Sequence, residues 1–288
     1  METALDVLAA GLLLGGIFAL IAVGLSLQYG VAKVLNIAHG EFIMIGGFLT
    51  WMLYSQYGVN PLLCMLIVGP ASFVVGYLLY RYMFTHIRIK APSAGAFEGN
   101  SILAAFGLLF VIQYIALLKW GSNVYGYSYL ASPVHLGTMT FATNRLVTLA
   151  FAVGISLVFY IFLARTRLGK AIRAAAQDTT AAGLMGVNIN RVLAICFGLG
   201  ALMAGVAGVL LSMCYPINAG MGLNYSIIAI IVVVLGGLGS IVGSFIGGFI
   251  LGIVGSIVTY FDPGLSLVGY YAIFIILLLV RPKGIMGK

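Results

Sequence analysis

The sequence predicts an all-α fold: a polytopic integral membrane protein with about eight or nine transmembrane helices, some of them short or broken. Three observations carry that expectation. Its 288 residues include only 14 Lys or Arg and 6 Asp or Glu, so 7% are charged where soluble domains average about 25%. Hydrophobic residues make up 62% and the mean hydropathy is +1.17, more apolar surface than a chain of this length could keep from water. Apolar windows of spanning length, or close to it, follow one another with short connections. Residues 1–288 are therefore expected to form one membrane domain, with no room for a separate soluble one.

The windows fall at about 5–27, 41–57, 61–84, 100–119, 145–164, 192–213, 224–238, 242–260 and 264–280. Two of them, 41–57 and 224–238, are shorter than the roughly 20 residues of a full span, so each suits a half-helix or a re-entrant piece. The chain begins with Glu2 and Asp6 rather than with a basic stretch and runs straight into the first window, so no cleaved signal peptide is expected. Between the fourth and fifth windows, residues 120–144 are rich in Gly, Ser, Thr, Asn and Tyr and predict a turn-rich external cap in which His135 is a loop residue.

Sidedness comes from the cations. If all nine windows cross, one side collects Lys33, Arg81, Arg88, Lys90, Arg165, Arg167, Lys170, Arg173, Arg191, Arg281, Lys283 and Lys288, and the other keeps only Lys119 and Arg145. The basic side is expected to be cytoplasmic, with the C-terminus and the 165–191 loop on it and the N-terminus outside. The net charge of +8 is thus a topology signal. Cations in short clusters between apolar stretches do not make a nucleic-acid surface. Cys64, Cys196 and Cys214 stand alone with no metal-ligand spacing and are expected to be packing residues.

Three stretches stand out. In LNIAHGEF at 35–42, the polar residues Asn36, His39 and Glu41 sit between two apolar segments. At helical spacing Asn36, His39 and Gly40 share a face and Glu41 points elsewhere, which suits a bent or broken helix at a pathway; an ordinary turn with Asn36 capping the next helix is the alternative. At 165–194 a basic start, an alanine-rich core and a cap at Asp178 and Thr179 predict a short helix lying between two spans. Such a helix either docks another protein or rests on anionic lipid. From Gly236 the chain reads GGLGSIVGSFIGGFILG, with small residues four apart at Gly239, Gly243 and Gly247 and again at Ser240, Ser244, Gly248 and Gly252. That spacing lets another backbone approach, as do Ala201 with Gly205 and Ala204 with Gly208 one helix earlier. The GGLG run, Gly236, Gly237 and Gly239 among it, suits a broken helix or hinge. No nucleotide-binding loop, H-E-x-x-H or G-x-S-x-G occurs, so chemical catalysis by this chain alone is not expected.

Four stretches together, GLSLQYGVAKVLNIAHGEFIMIGG (24–47), AIRAAAQDTTAAGLMGVNINRV (171–192), VVLGGLGSIVGSFIGG (233–248) and RPKGIMG (281–287), resemble the permease subunits of bacterial ABC importers for branched-chain amino acids, in the same order along nearly the whole chain. The resemblance implies the smaller permease of a five-part system in the cell inner membrane. Its partners would be a second related permease, two ATPase subunits that bind ATP and Mg, and a periplasmic substrate-binding protein, with no cofactor in this chain. It also implies a coupling loop to the ATPase. Ala181, Ala182 and Gly186 match the AA-xxx-G core of that loop, with Arg173 and Asp178 beside it, while Thr180 stands at the glutamate place and the later Leu-Pro is absent. Asn36, His39, Gly40 and Glu41 then fit the translocation pathway or its gate. Relatives that import urea or short-chain amides, and an independent proton-coupled transporter using His39 and Glu41, are the alternatives.

Overall fold

The computed structural model describes residues 2–136 and 139–287. Helix α1 (Glu2–Ala32) is followed by α2 (His39–Tyr57), α3 (Pro61–Leu79), α4 (Thr85–Lys90), α5 (Ala94–Trp120), α6 (Thr143–Arg165), α7 (Arg167–Gln177), α8 (Thr179–Leu184), α9 (Ile189–Ser212), α10 (Met221–Gly236), α11 (Ile241–Phe261) and α12 (Ser266–Val280). A helix therefore occupies each of the nine apolar windows. Seven stretches among the described residues are long and apolar enough to cross a membrane, and α2 and α10 are the two remaining. The chain is a multi-pass membrane protein.

Helix ends are set by local chemistry. Asn60 caps α3, accepting from the Leu62 amide at 2.9 Å, with Pro61 in the first turn where a missing N–H costs nothing. Ser93, Asn188 and Ser240 cap α5, α9 and α11 in the same way. α3 and α4 are joined through a π-helical turn, Tyr80–Phe84, that stacks Tyr80 and Phe84 on Phe197 of α9.

The interior is made of α1, α2, α9 and α10, and α1 is clamped to α11 by small residues. A side chain at Gly11 or Gly15 would stand 2.7 Å from the backbone of Ile253 or Phe249, and one at Gly248 or Gly252 would run into Ala19 or Gly15. The two helices thus run antiparallel with backbones in contact, the arrangement small residues permit when lipid offers no hydrophobic drive. The stripes four residues apart separate by partner: Gly248 and Gly252 face α1, whereas Gly243 and Gly247 face α10. Gly205 and Gly208 of α9 press on Ser72 of α3 and Ile43 of α2. The outer helices instead present Leu66, Leu118 and Leu279, all more than 70% exposed, as a lipid-facing surface requires.

The packing sorts the two bundle ends as the cations predicted. Lys33, Arg88 and Thr179 line one cavity, and Arg81 lines another with Asn188 and Arg191. At the opposite end Trp120 stacks on Phe48 with centroids 4.5 Å apart, and Asn144 donates to the Met213 carbonyl at 2.8 Å.

Three expectations need correction. The 120–144 cap is not all turns: Pro133–Leu136 pairs with Met139–Ala142 as an antiparallel hairpin, β1 and β2, in which His135 bonds Thr140 at 2.9 Å. β-branched Val134 and Thr140 and aromatic Phe141 favour strands, a signal that the Gly and Ser count obscured. The cap is tied down by paired backbone bonds between Tyr125 and Ile217, both 2.8 Å, and by Tyr127 bonding Ser212 at 2.9 Å. The one short helix expected within 165–194 is two helices, because the Asp178 carboxylate accepts from the amides of Thr180 and Ala181 and starts α8 anew. The GGLG run does not break a helix. It is the turn between α10 and α11, where Gly237 (φ +103°) and Gly239 (φ +82°) adopt backbone angles that other residues rarely take. The tail caps that turn: Ile285 and Met286 donate their amides to the carbonyls of Leu235 and Gly236 at 2.9 and 3.0 Å, satisfying the end of α10.

Candidate functional site

The 35–42 stretch lies inside the bundle. With α1 as a ruler, Gly30 sits against Gly239 at the basic end, while Asn36 bonds Gln28 and His39 reaches the carbonyl of Ile21 at 3.1 Å. The chain leaves α1 at Ala32, turns back, and climbs about ten residues of α1, some 15 Å, before α2 begins. Residues 33–36 are non-helical, and Val34, Asn36 and Ala38 are fully buried. Non-helical backbone at this depth needs internal partners. Asn36 supplies them: its side chain accepts from the Ala38 amide at 3.1 Å and donates to Gln28 at 3.3 Å, and Gln28 donates to the Phe197 carbonyl at 3.0 Å.

α10 starts at the same level from the other direction. The Gly40 amide donates to the Ser226 hydroxyl at 2.8 Å, that hydroxyl donates to the Ile37 carbonyl, and the Glu41 carboxyl lies against Gly222. The first turns of α2 and α10 therefore meet in the interior. α2 runs from there to the aromatic end, where Tyr54 bonds the Ser128 carbonyl, and α10 runs to the basic end. Two helix N-termini, each with a partial positive charge, converge on one buried region beside Glu41, and the Gly40 amide at the start of α2 is paired across the contact to Ser226. A side chain on Gly40 would strike the Gly222 carbonyl and come within 2.7 Å of Ser226, so the contact depends on this glycine.

This geometry revises the expected facing. Asn36 is not on a helix, so it shares no helical face with the others. It belongs to the buried cluster and holds the turn before α2 through the Ala38 amide, but it does not cap the helix, whose N-cap residue is Ala38. His39 faces α1, while Gly40 sides with Glu41 against α10. Asn36, His39 and Glu41 are fully buried. Nδ1 of His39, both carboxyl oxygens of Glu41 and the Ser26 hydroxyl have no hydrogen-bond partner among the described residues. Buried polar atoms without partners cost about 1–3 kcal/mol each, so this junction is held together by the packing around it.

The loop at 165–191 is the opposite case. α7 buries Gly169, Ile172 and Ala175 against the bundle, and Arg173 reaches back to the Ala164 carbonyl at 3.2 Å. Thr180 and Ala181 are exposed, Ala182 is buried, and Gly186 turns the chain at φ +86°. Leu184 and Met185, 85% and 86% exposed, crown the loop. Sequence reasoning passed over this pair; an apolar dipeptide between Gly183 and Gly186 at a helix end was the available signal. It also passed over Gln28 and Ser226, whose partners are 169 and 186 residues away.

Comparison with known proteins gives three findings. A family described as the permease component of branched-chain amino acid transport systems matches residues 7–279. The high-affinity branched-chain amino acid transport system permease protein BraD of Pseudomonas aeruginosa is 31% identical, with 99% of this chain and 96% of BraD covered; LivH of Escherichia coli K12, named likewise, is 32% identical over 96% and 94%. Among solved structures, PsaBC from Streptococcus pneumoniae in complex with Fab shares the fold, with a TM-score of 0.52, 15% identity, and 96% and 92% of the two chains covered.

Proposed function

This chain belongs to the family of permease components of branched-chain amino acid transport systems, and from that premise we propose that it is the transmembrane permease subunit of an ATP-driven importer for branched-chain, aliphatic amino acids. The observation that carries the reading is the family match along 7–279, beside relatives of that name covered almost end to end. Residues 1–288 act as one permease unit in a bacterial inner membrane, with the basic end cytoplasmic. A second related permease completes the pathway, a periplasmic binding protein delivers the solute, and two ATPase subunits hold ATP and Mg.

In this reading the exposed turn around Leu184, Met185 and Gly186, with Arg173, Asp178, Thr180, Ala181 and Ala182 behind it, docks the ATPase. Movement of α7 and α8 reaches the interior through α1 and α9, against which α7 packs. Asn36, His39, Gly40 and Glu41 form the gate, because two short helices meeting at their starts can separate without breaking any hydrogen bond inside either helix. The seam of Gly236, Gly243 and Gly247, with Gly237 and Gly239 in the turn that joins the two helices, lets α10 shift against α11.

The test is reconstitution of the complex in liposomes with its binding protein. ATP-dependent leucine uptake that is lost in Gly186→Trp, together with loss of the ATPase on purification, supports the reading. Normal uptake by Gly186→Trp with the ATPase bound removes the docking role, and uptake of urea or acetamide in place of leucine moves the substrate to amides. A second reading draws on the unpartnered atoms of His39 and Glu41, which suit a proton relay. It requires uptake that collapses with the proton gradient while ATP is held constant.

A further inference from the structure

A cavity of about 530 Å3 opens at the aromatic end between the first turns of α1 and the start of α6, and is walled by α10, α11 and α12. Its rim carries opposite charges on exposed residues, Asp6 of α1 and Arg145 of α6. The Arg145 guanidinium lies over the Tyr215 ring, 5.9 Å from its centre, a contact that holds the cation at the opening. From Asp6 the cavity follows α1 to Phe18, about 18 Å along the helix, and ends beside Tyr225 and Ile228. Tyr225 adjoins Ser226, the residue that joins α10 to the start of α2. The wall below the charges is mostly apolar, with Leu14, Phe18 and Ile228, and carries the hydroxyl-bearing side chains of Ser256, Thr259, Tyr225 and Tyr270.

We propose that this cavity is the vestibule through which an α-amino acid enters as a zwitterion. Arg145 receives its carboxylate, Asp6 its ammonium, and the apolar wall its aliphatic side chain. A chamber with one charge of each sign at its rim favours a ligand that also carries both over one that carries a single charge or none. Tyr225 in its lining is the sequence neighbour of Ser226, which bonds Gly40, so the cavity adjoins the helix that closes the junction. The inference rests on the permease reading above and goes further by naming the residues that recognise the solute on this chain.

The experiment uses the assembled complex without the binding protein, so that selectivity belongs to the permease. Displacement of radiolabelled leucine is measured with leucine, with leucinamide, which lacks the carboxylate, and with 4-methyl-2-oxopentanoate, which lacks the ammonium. The wild type is expected to prefer leucine over each analogue by about tenfold or more, the worth of a charge-assisted hydrogen bond. Arg145→Gln loses the preference over leucinamide alone, Asp6→Asn loses the preference over the oxo acid alone, and Arg145→Lys keeps both. Wild-type complex that does not discriminate among the three overturns the inference, as do variants whose profiles match the wild type. If Arg145→Gln does not assemble, Asp6→Asn decides by the same criterion. Failure of the permease reading looks different: the wild-type complex with its binding protein then takes up no leucine at all, and the inference falls with it.

Discussion

The buried junction at 36–41 and the exposed loop at 167–186 violate the rule for burial in opposite senses. At the junction polar atoms are hidden without partners; on the loop Leu184 and Met185 are displayed to solvent. Both arrangements are unfavourable for the isolated chain, and in the proposed function each has a second state that relieves it: the parting of α2 and α10 at the junction, and cover by the ATPase on the loop. The difference is in who supplies the missing contact. In that reading the junction finds it by a rearrangement of this chain, held in check by packing around Gly40, and the loop finds it in another protein, since Leu184 and Met185 are 85% and 86% exposed in the bundle.

Four variants break or sharpen this contrast. The largest expected effect is from Gly40→Val, which forces a side chain into the Gly222 carbonyl and Ser226. It should cost about 3 kcal/mol or more and leave little monodisperse protein on size-exclusion chromatography. Glu41→Met removes a buried carboxyl without partners and should raise thermal stability by about 1–3 kcal/mol while abolishing uptake. A stabilised variant that still transports would show that Glu41 has no part in the gate. Ser226→Ala deprives the Gly40 amide and the Ile37 carbonyl of their partner, for a loss of about 1–2 kcal/mol in thermal denaturation. Smallest in stability is the pair Leu184→Asp with Met185→Asp, expected to shift unfolding by less than about 0.5 kcal/mol because nothing is packed on either side chain. Recovery of the ATPase with the tagged variant is the measurement that matters there. Undiminished recovery would remove the loop from the docking surface.

The ordering of these effects shows which links a linear reading could reach. The nine helical windows, the grouping of the cations and the Asp178 cap all come from neighbouring residues, whose spacing and polarity act locally. The two glycine stripes of α11 were legible as faces, but not which of α1 and α10 each would meet. The helical period does not give the facing of Gly40, because it runs through Asn36, where the chain is non-helical and turns into α2. Hydrogen bonding to Gln28 compensates that unwinding, and a pattern of 3.6 residues contains no sign of it.

The sequence by itself determined that the chain lives in lipid, how its ends are sorted and where polar residues interrupt the apolar runs, since a bilayer enforces those choices on every segment separately. Only the tertiary structure decided that α2 and α10 begin within the bundle and meet there, that the tail closes α10, and that Asp6 and Arg145, 139 residues apart, line one cavity. Each of these pairs residues far apart in the chain. Their proximity is fixed by how helices pack against α1 and α9, a property of the assembled bundle that no single segment carries.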